Sequence, residues 1–163
     1  MPSFRTTHRV PFTPRQMFDL VADLESYPAF LPLCEAVIVR RREQHDGLSV
    51  IVADMTVAYL AIRETFSSRV ELDASNLTVV ARGAAGTRGP FRQLENRWRF
   101  RAATGGCDVE FFISYTFKSL VFELLVGSLF ARLFRRYTEA FEARAHHIYG
   151  AEGAAARHDR PAV

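Results

Sequence analysis

The spacing of apolar residues changes period along this chain, and each change marks an element. Leu94, Asn96, Trp98, Phe100 and Ala102 alternate with Gln93, Glu95, Arg97, Arg99 and Arg101. That period of two predicts a strand with one mostly apolar face and one basic, wet face. Gly105-Gly106 reads as a hairpin turn, and Val109, Phe111, Ile113, Tyr115 and Phe117 share a face of the strand that follows. From Ser119, a suitable N-cap, the spacing becomes helical. A long helix is predicted to about Tyr149, with Gly150 as its stop. Its first turns (Leu120, Val121, Phe122, Leu124, Leu125, Val126) are apolar all round, which packing on one side does not require. That excess suits a portal, a bilayer contact, a dimer interface or burial under Pro28 to Leu33. Further on, Phe130, Leu133, Phe134, Tyr137 and Phe141 gather on one side, with Arg132, Arg135, Arg136, Glu139 and Glu142 largely elsewhere.

Upstream, Ser3 to Val10 alternates loosely and predicts a first strand. Thr13 is a good N-cap, Pro14 suits the first helical position, and Gln16 sits where a capping box places Glu or Gln. Met17, Phe18, Leu20, Val21 and Leu24 give a short helix its stripe, and Asp23 to Pro32 reads as a second short helix or turn. Strands follow at Ala36 to Arg42, Leu48 to Tyr59, Ala61 to Leu72 and Leu77 to Arg82. Asp46-Gly47 and Asp73 to Asn76 supply turns between them, and Gly83 to Pro90 reads as a flexible loop. Six consecutive strands joined by hairpins exclude a doubly wound fold, which needs alternating helices. The order predicts an α+β protein, a curved antiparallel sheet wrapped on one long helix. Residues 1–150 form one domain and residues 151–163 a disordered tail.

Bulk composition changes this picture little. The 163 residues suffice for one buried core, and a formal net charge of +3 does not argue for a nucleic-acid binder. Only Lys118 among the basic residues is a lysine. Cys34 and Cys107 are far apart and form no CxxC pair, so buried reduced thiols in a cytoplasmic protein are expected. No signal peptide and no apolar run long enough to span a bilayer is visible. Neither a phosphate loop, a GxSxG elbow nor an HExxH motif is present. The adjacent His146 and His147 lack the spacing of helical metal ligands, so no metal is expected.

Five segments resemble a known family. They are Tyr27-Pro-x-Phe-Leu-Pro-x-Cys34, Glu64-x-Phe-Ser-Ser-x-Val70, Leu94-x-Asn-x-Trp-x-Phe100, Cys107-x-Val-x-Phe-x-Ile-Ser-Tyr-x-Phe-x-Ser-Leu120 and Ala140-Phe-Glu-x-Arg-Ala145. In order and spacing they are similar to the START-like helix-grip (polyketide cyclase/dehydrase-like) superfamily, and within it to the coenzyme Q-binding protein family. Ribosome-association toxins are bacterial relatives of that family. Leu33 departs from the pattern, which favours Trp there. The resemblance implies a helix-grip fold, a bound polyprenyl quinone (ubiquinone) as ligand rather than a resident cofactor, and a non-enzymatic role supporting respiratory electron transport. Because a long-tailed quinone partitions strongly into a bilayer, a weak, transient, peripheral contact with an anionic membrane is expected, the inner membrane if the protein is bacterial. That contact is expected through the apolar surface around Pro28 to Leu33 and the start of the last helix, with nearby arginines. A homodimer is a further expectation. Ribosome binding that blocks subunit association is the alternative, and a cyclase/aromatase-type enzyme ranks last because Glu64 has no evident acid–base partner.

The residues themselves predict either an ordinary core or the lining of an apolar cavity. A bent sheet closing on one helix leaves interior volume, and ligand pockets are mostly apolar with few polar groups. The candidate lining is Tyr59, Glu64, Phe66, Trp98, Phe100, Phe111, Ile113, Tyr115 and Phe117 from the strands. Leu125, Leu129, Phe130, Leu133 and Phe134 join them from the helix. Tyr115 and Trp98 each place one polar atom near an apolar guest, which suits the two carbonyls of a benzoquinone. Glu64 shares a face with Ile62, Phe66 and Val70, so it either orients a ligand, acts as an acid or base, or sits at a wet rim.

Overall fold

The computed structural model describes residues 2–83 and 89–158, with side chains described as far as Gly150. Strand β1 (Ser3–Val10) leads to helix α1 (Pro14–Ala22) and a short 3₁₀ helix, Leu24–Ala29. Strands β2 (Cys34–His45), β3 (Leu48–Tyr59), β4 (Ile62–Asp73), β5 (Thr78–Gly83), β6 (Phe91–Ala103) and β7 (Gly106–Phe117) follow, and helix α2 (Leu120–His158) ends the chain. The seven strands form one antiparallel sheet in the order β1-β7-β6-β5-β4-β3-β2. β2 to β7 run as a meander, and β1 returns to pair with β7. This is the expected α+β helix-grip architecture.

Local chemistry explains the boundaries. The Thr13 hydroxyl accepts from the Gln16 amide at 3.1 Å, and the Gln16 side chain accepts from the Thr13 amide at 2.9 Å. This reciprocal cap fixes the start of α1. Ser119 caps α2, its hydroxyl accepting from the Phe122 amide at 3.2 Å. Asp46 and Gly47 both take positive φ, 48° and 81°, as a tight right-twisting hairpin needs. Gly106 has a different reason: a Cβ there would lie 1.8 Å from the carbonyl oxygen of Val10, so only glycine lets β7 start against β1.

Helix α2 does not stop at Gly150. It continues to His158 through Gly150 and Gly153, because the Ala-rich run has high helix propensity and each glycine costs only about 1 kcal/mol. The expected tail is therefore helical over 151–158, and its last five residues, like the loop residues 84–88, lie outside the described residues. The alternation read for β6 and β7 holds. Trp98, Phe100, Val109, Phe111, Ile113, Tyr115 and Phe117 are buried, while Arg97, Arg99 and Arg101 are exposed.

One end of the concave face is filled by α1. Met17, Phe18, Leu20 and Val21 are buried, and the Phe18 ring meets Phe100 edge-on at 6.3 Å. The far half of α2 closes over this end. His146 packs edge-on against Phe12 at 4.9 Å, and the Tyr149 hydroxyl donates to the Gln16 carbonyl at 2.9 Å. Among the described residues no helix of this kind underlies the first turns of α2.

Candidate functional site

Between the sheet, the 3₁₀ helix and the middle of α2 lies a cavity of about 120 Å³. Phe66, Trp98, Phe111, Ile113, Phe130, Leu133 and Phe134, all predicted as lining, do line it. A second, smaller pocket of about 20 Å³ opens beside it, between the β3–β4 hairpin and the start of α2. Tyr59, Glu64 and Leu129 line this outer pocket. Val57, Phe130 and Leu133 border both spaces, so these three side chains stand between them.

Four predicted residues are placed elsewhere. Leu125 is 72% exposed, and Val126, 2% exposed, takes the inward position instead. Phe100 is buried but faces α1 through Phe18, away from the cavity. Tyr115 and Phe117 are buried behind an aromatic wall. Phe91 stacks on Phe117 at 5.1 Å, and Phe130 packs against Tyr115 at 6.3 Å. The Pro28 to Leu33 segment is not the exposed apolar surface expected of it. Tyr27 and Leu31 are buried and line the cavity, and the Phe30 ring packs on Phe141 at 5.2 Å. Gly127 makes no close approach to a neighbour; a Cβ there would meet nothing within 4 Å.

The polar groups in the lining are few, and most are spoken for. Trp98 donates its ring N–H to the Asn96 side-chain oxygen at 2.9 Å, and Asn96 in turn donates to the Phe112 carbonyl at 2.9 Å. The indole N–H expected to face a guest is thus already bonded. The Tyr27 hydroxyl donates to the Val21 carbonyl. Ser68 adds one further hydroxyl to the lining and Tyr137 another. Tyr137 borders the cavity, and its hydroxyl is fully buried with no hydrogen-bond partner among the described residues. Burial, and then the nearby Cys34, raises the Tyr137 phenol well above its ordinary value, so it is a neutral donor. Burial likewise pushes the Cys34 thiol up to about 11.

Sequence reasoning placed Tyr137 on the inward side of α2 with Phe130, Phe134 and Phe141 but did not count it as lining. The i, i+3, i+7 spacing from Phe130 was the available signal. Met55, Val57 and Val37 were also missed. Register shifts in the β2–β3 pairing at Cys34/Ala36 and Val39/Arg41 break the simple alternation that would have revealed Val37.

A curved antiparallel sheet gripping a long helix around an apolar cavity defines a START-like, helix-grip protein. The chain belongs to the polyketide cyclase / dehydrase and lipid transport family, which it matches over residues 10–142. It is 33% identical to the ribosome association toxin RatA of Escherichia coli (strain K12), over 93% of this chain and 91% of the toxin. It is 29% identical to a mitochondrial coenzyme Q-binding protein homolog B of Xenopus laevis, over 85% of this chain and 56% of that protein. Among solved structures, an 18 kDa protein from Caulobacter crescentus superimposes with a TM-score of 0.75 at 30% identity, covering 92% of this chain and 99% of that one. The aromatase/cyclase Zhui from Streptomyces shares the fold at 15% identity, with a TM-score of 0.74 and 89% and 93% coverage. No helix among the described residues is long and apolar enough to cross a membrane.

Proposed function

We propose that this protein binds a polyprenyl quinone, ring first, and carries or presents it in support of respiratory electron transport. The observation that carries this reading is the buried, unpartnered hydroxyl of Tyr137 in the wall of a largely apolar cavity. A buried phenol without an acceptor costs roughly 1–3 kcal/mol, and a guest carbonyl removes that cost. A pure hydrocarbon would not. Size supports the same reading. A cavity of about 120 Å³ is close to the ~150 Å³ apolar space that takes a single benzene ring, so it has room for one ring and none for a long tail. The tail then leaves past Phe130 and Leu133 through the outer pocket. A relative named as a coenzyme Q-binding protein agrees with this choice of ligand. The lining carries no carboxylate, histidine or lysine among the described residues, so an acid–base pair for cyclase chemistry is missing there.

Ribosome binding is the second reading, favoured by the toxin-named relatives. The sheet's outward arginines speak against that surface as an RNA site. Arg9, Arg40, Arg82, Arg97 and Arg101 pair with Asp108, Asp54, Glu95, Glu95 and Glu110, which leaves less positive charge to displace counterions from RNA.

The test begins with mass spectrometry of organic extracts from freshly purified protein, in which a co-purified quinone is expected. Trp98 is the sole tryptophan and lines the cavity, so a short-tailed ubiquinone analogue is expected to quench its fluorescence. Tyr137→Phe is expected to weaken that binding roughly 5-fold without lowering the stability of the empty protein. Unchanged affinity would remove Tyr137 as the anchor, and no quenching at all would remove the quinone.

A further inference from the structure

The first turns of α2 present a surface that no described residue covers. Leu120, Val121, Leu124 and Leu125 are 70%, 67%, 78% and 72% exposed. Across the outer pocket stands the tip of the β3–β4 hairpin, where Leu60 is 90% exposed. Leu60 also holds a positive φ of 54°, a backbone conformation that favours glycine or asparagine. A strained and fully wetted leucine contributes nothing to packing. Its apolar side chain has a use only if something outside the chain meets it.

The same face of α2 changes character along its length. Past the leucines come the small exposed residues Ser128 and Ala131, then Arg132, Arg135 and Arg136, all exposed. These three arginines make no ion pair among the described residues, in contrast to most arginines of the sheet. Leu124 and Arg132 are separated by about 12 Å along the axis, at a rise of about 1.5 Å per residue. An apolar tip with a cationic collar at that distance matches the layering of an anionic bilayer, whose acyl boundary lies beneath a plane of phosphates. A second copy of this chain, at a net charge of +3, complements the arginines less well than an anionic surface does. Glu123, the acid in the first turn, is half-buried, unlike the exposed leucines around it.

We infer that the protein docks on anionic phospholipid bilayers with the tip of α2 and Leu60 in the acyl boundary and with Arg132, Arg135 and Arg136 on lipid phosphates. This interface differs from the Tyr27 to Leu33 segment, whose Tyr27 and Leu31 are buried in the cavity wall. It surrounds the outer pocket, so a tail leaving the cavity enters lipid without crossing water. The docking does not depend on which lipid fills the cavity.

The experiment is vesicle co-sedimentation of the full chain without added quinone. It compares phosphatidylcholine vesicles with vesicles of phosphatidylcholine mixed with phosphatidylglycerol. Wild type is expected to bind the mixed vesicles and to lose binding as salt rises. Replacing Arg132, Arg135 and Arg136 singly by Gln is expected to weaken binding about 5-fold each. Leu124→Asp with Leu125→Asp is expected to abolish binding, and Leu60→Asp to reduce it. All these positions are exposed, and circular dichroism melts establish that the variants remain folded. Wild-type binding by the folded leucine and arginine variants would overturn the proposal. So would absence of binding to mixed vesicles, including the case where the leucine variant instead dissolves a dimer seen by analytical ultracentrifugation. Arginine variants that lose only ribosome co-sedimentation would overturn it as well.

Discussion

At one end of the sheet Phe12, Phe18 and Phe100 lie under α1 and the far half of α2, with exposures of 8%, 4% and 3%. At the other end Tyr59, Leu60 and the first turns of α2 stand in water, and the rings just inside, Phe66, Phe91 and Phe130, border empty space. Both ends draw on the same stock of aromatic and aliphatic residues. What differs is the supply of elements. Helix α1 delivers Met17, Phe18, Leu20 and Val21 into one end, whereas only a hairpin turn and a helix start meet at the other. The packed end holds the sheet to the helix, which frees the open end to stay incompletely filled. A cavity in a small domain is thus a matter of uneven coverage rather than of unusual composition.

The sharpest way to break this comparison is to cut the packed end. Phe100→Ala is expected to cost about 3–5 kcal/mol, read from the denaturant midpoint at unchanged slope. A cost below about 1 kcal/mol would mean that this end is not the closely packed one. Phe130→Ala removes a ring that already faces a void, so its expected cost is about 2 kcal/mol, clearly below that of Phe100→Ala. Equal costs would show that the cavity closes in solution.

The thiols sharpen the comparison through pH, since Cys107 lies in the packed core and Cys34 in the wall near Tyr137. Burial raises both from 9.0 to about 11. A thiol raised on folding adds stability that is fully present below the unfolded value and is lost as pH rises through the folded one. Stability is therefore expected to fall between pH 9 and about 11, and Cys34→Ala and Cys107→Ala should each flatten part of that fall. A profile flat over this window would mean that neither thiol is shielded. At the open end Leu124→Ser is expected to change stability by no more than about 0.5 kcal/mol, because the side chain is 78% exposed. A larger loss would reveal packing on that face.

The legible parts of this protein are those fixed by local periodicity. The faces of β6 and β7, the caps at Thr13 and Ser119 and the turn at Asp46-Gly47 are nearest-neighbour properties, and each appears in the structure as read. The inward stripe of α2 from Phe130 to Phe141 belongs with them. Tertiary structure decided which inward residues meet empty space and which meet another side chain. Phe100 and Phe111 are both buried and share the concave face, yet Phe100 abuts α1 and Phe111 borders the cavity. Leu125 and Val126 are chemically alike neighbours, and only the docking angle of α2 put one in water and the other inside. The free hydroxyl of Tyr137 has the same origin. Its spacing placed it on the inner face, but whether a partner lay opposite depended on distant strands whose bulges shift their register. Periodicity in a sequence reports direction from the chain, and a site depends on what the fold sets at the far end of that direction.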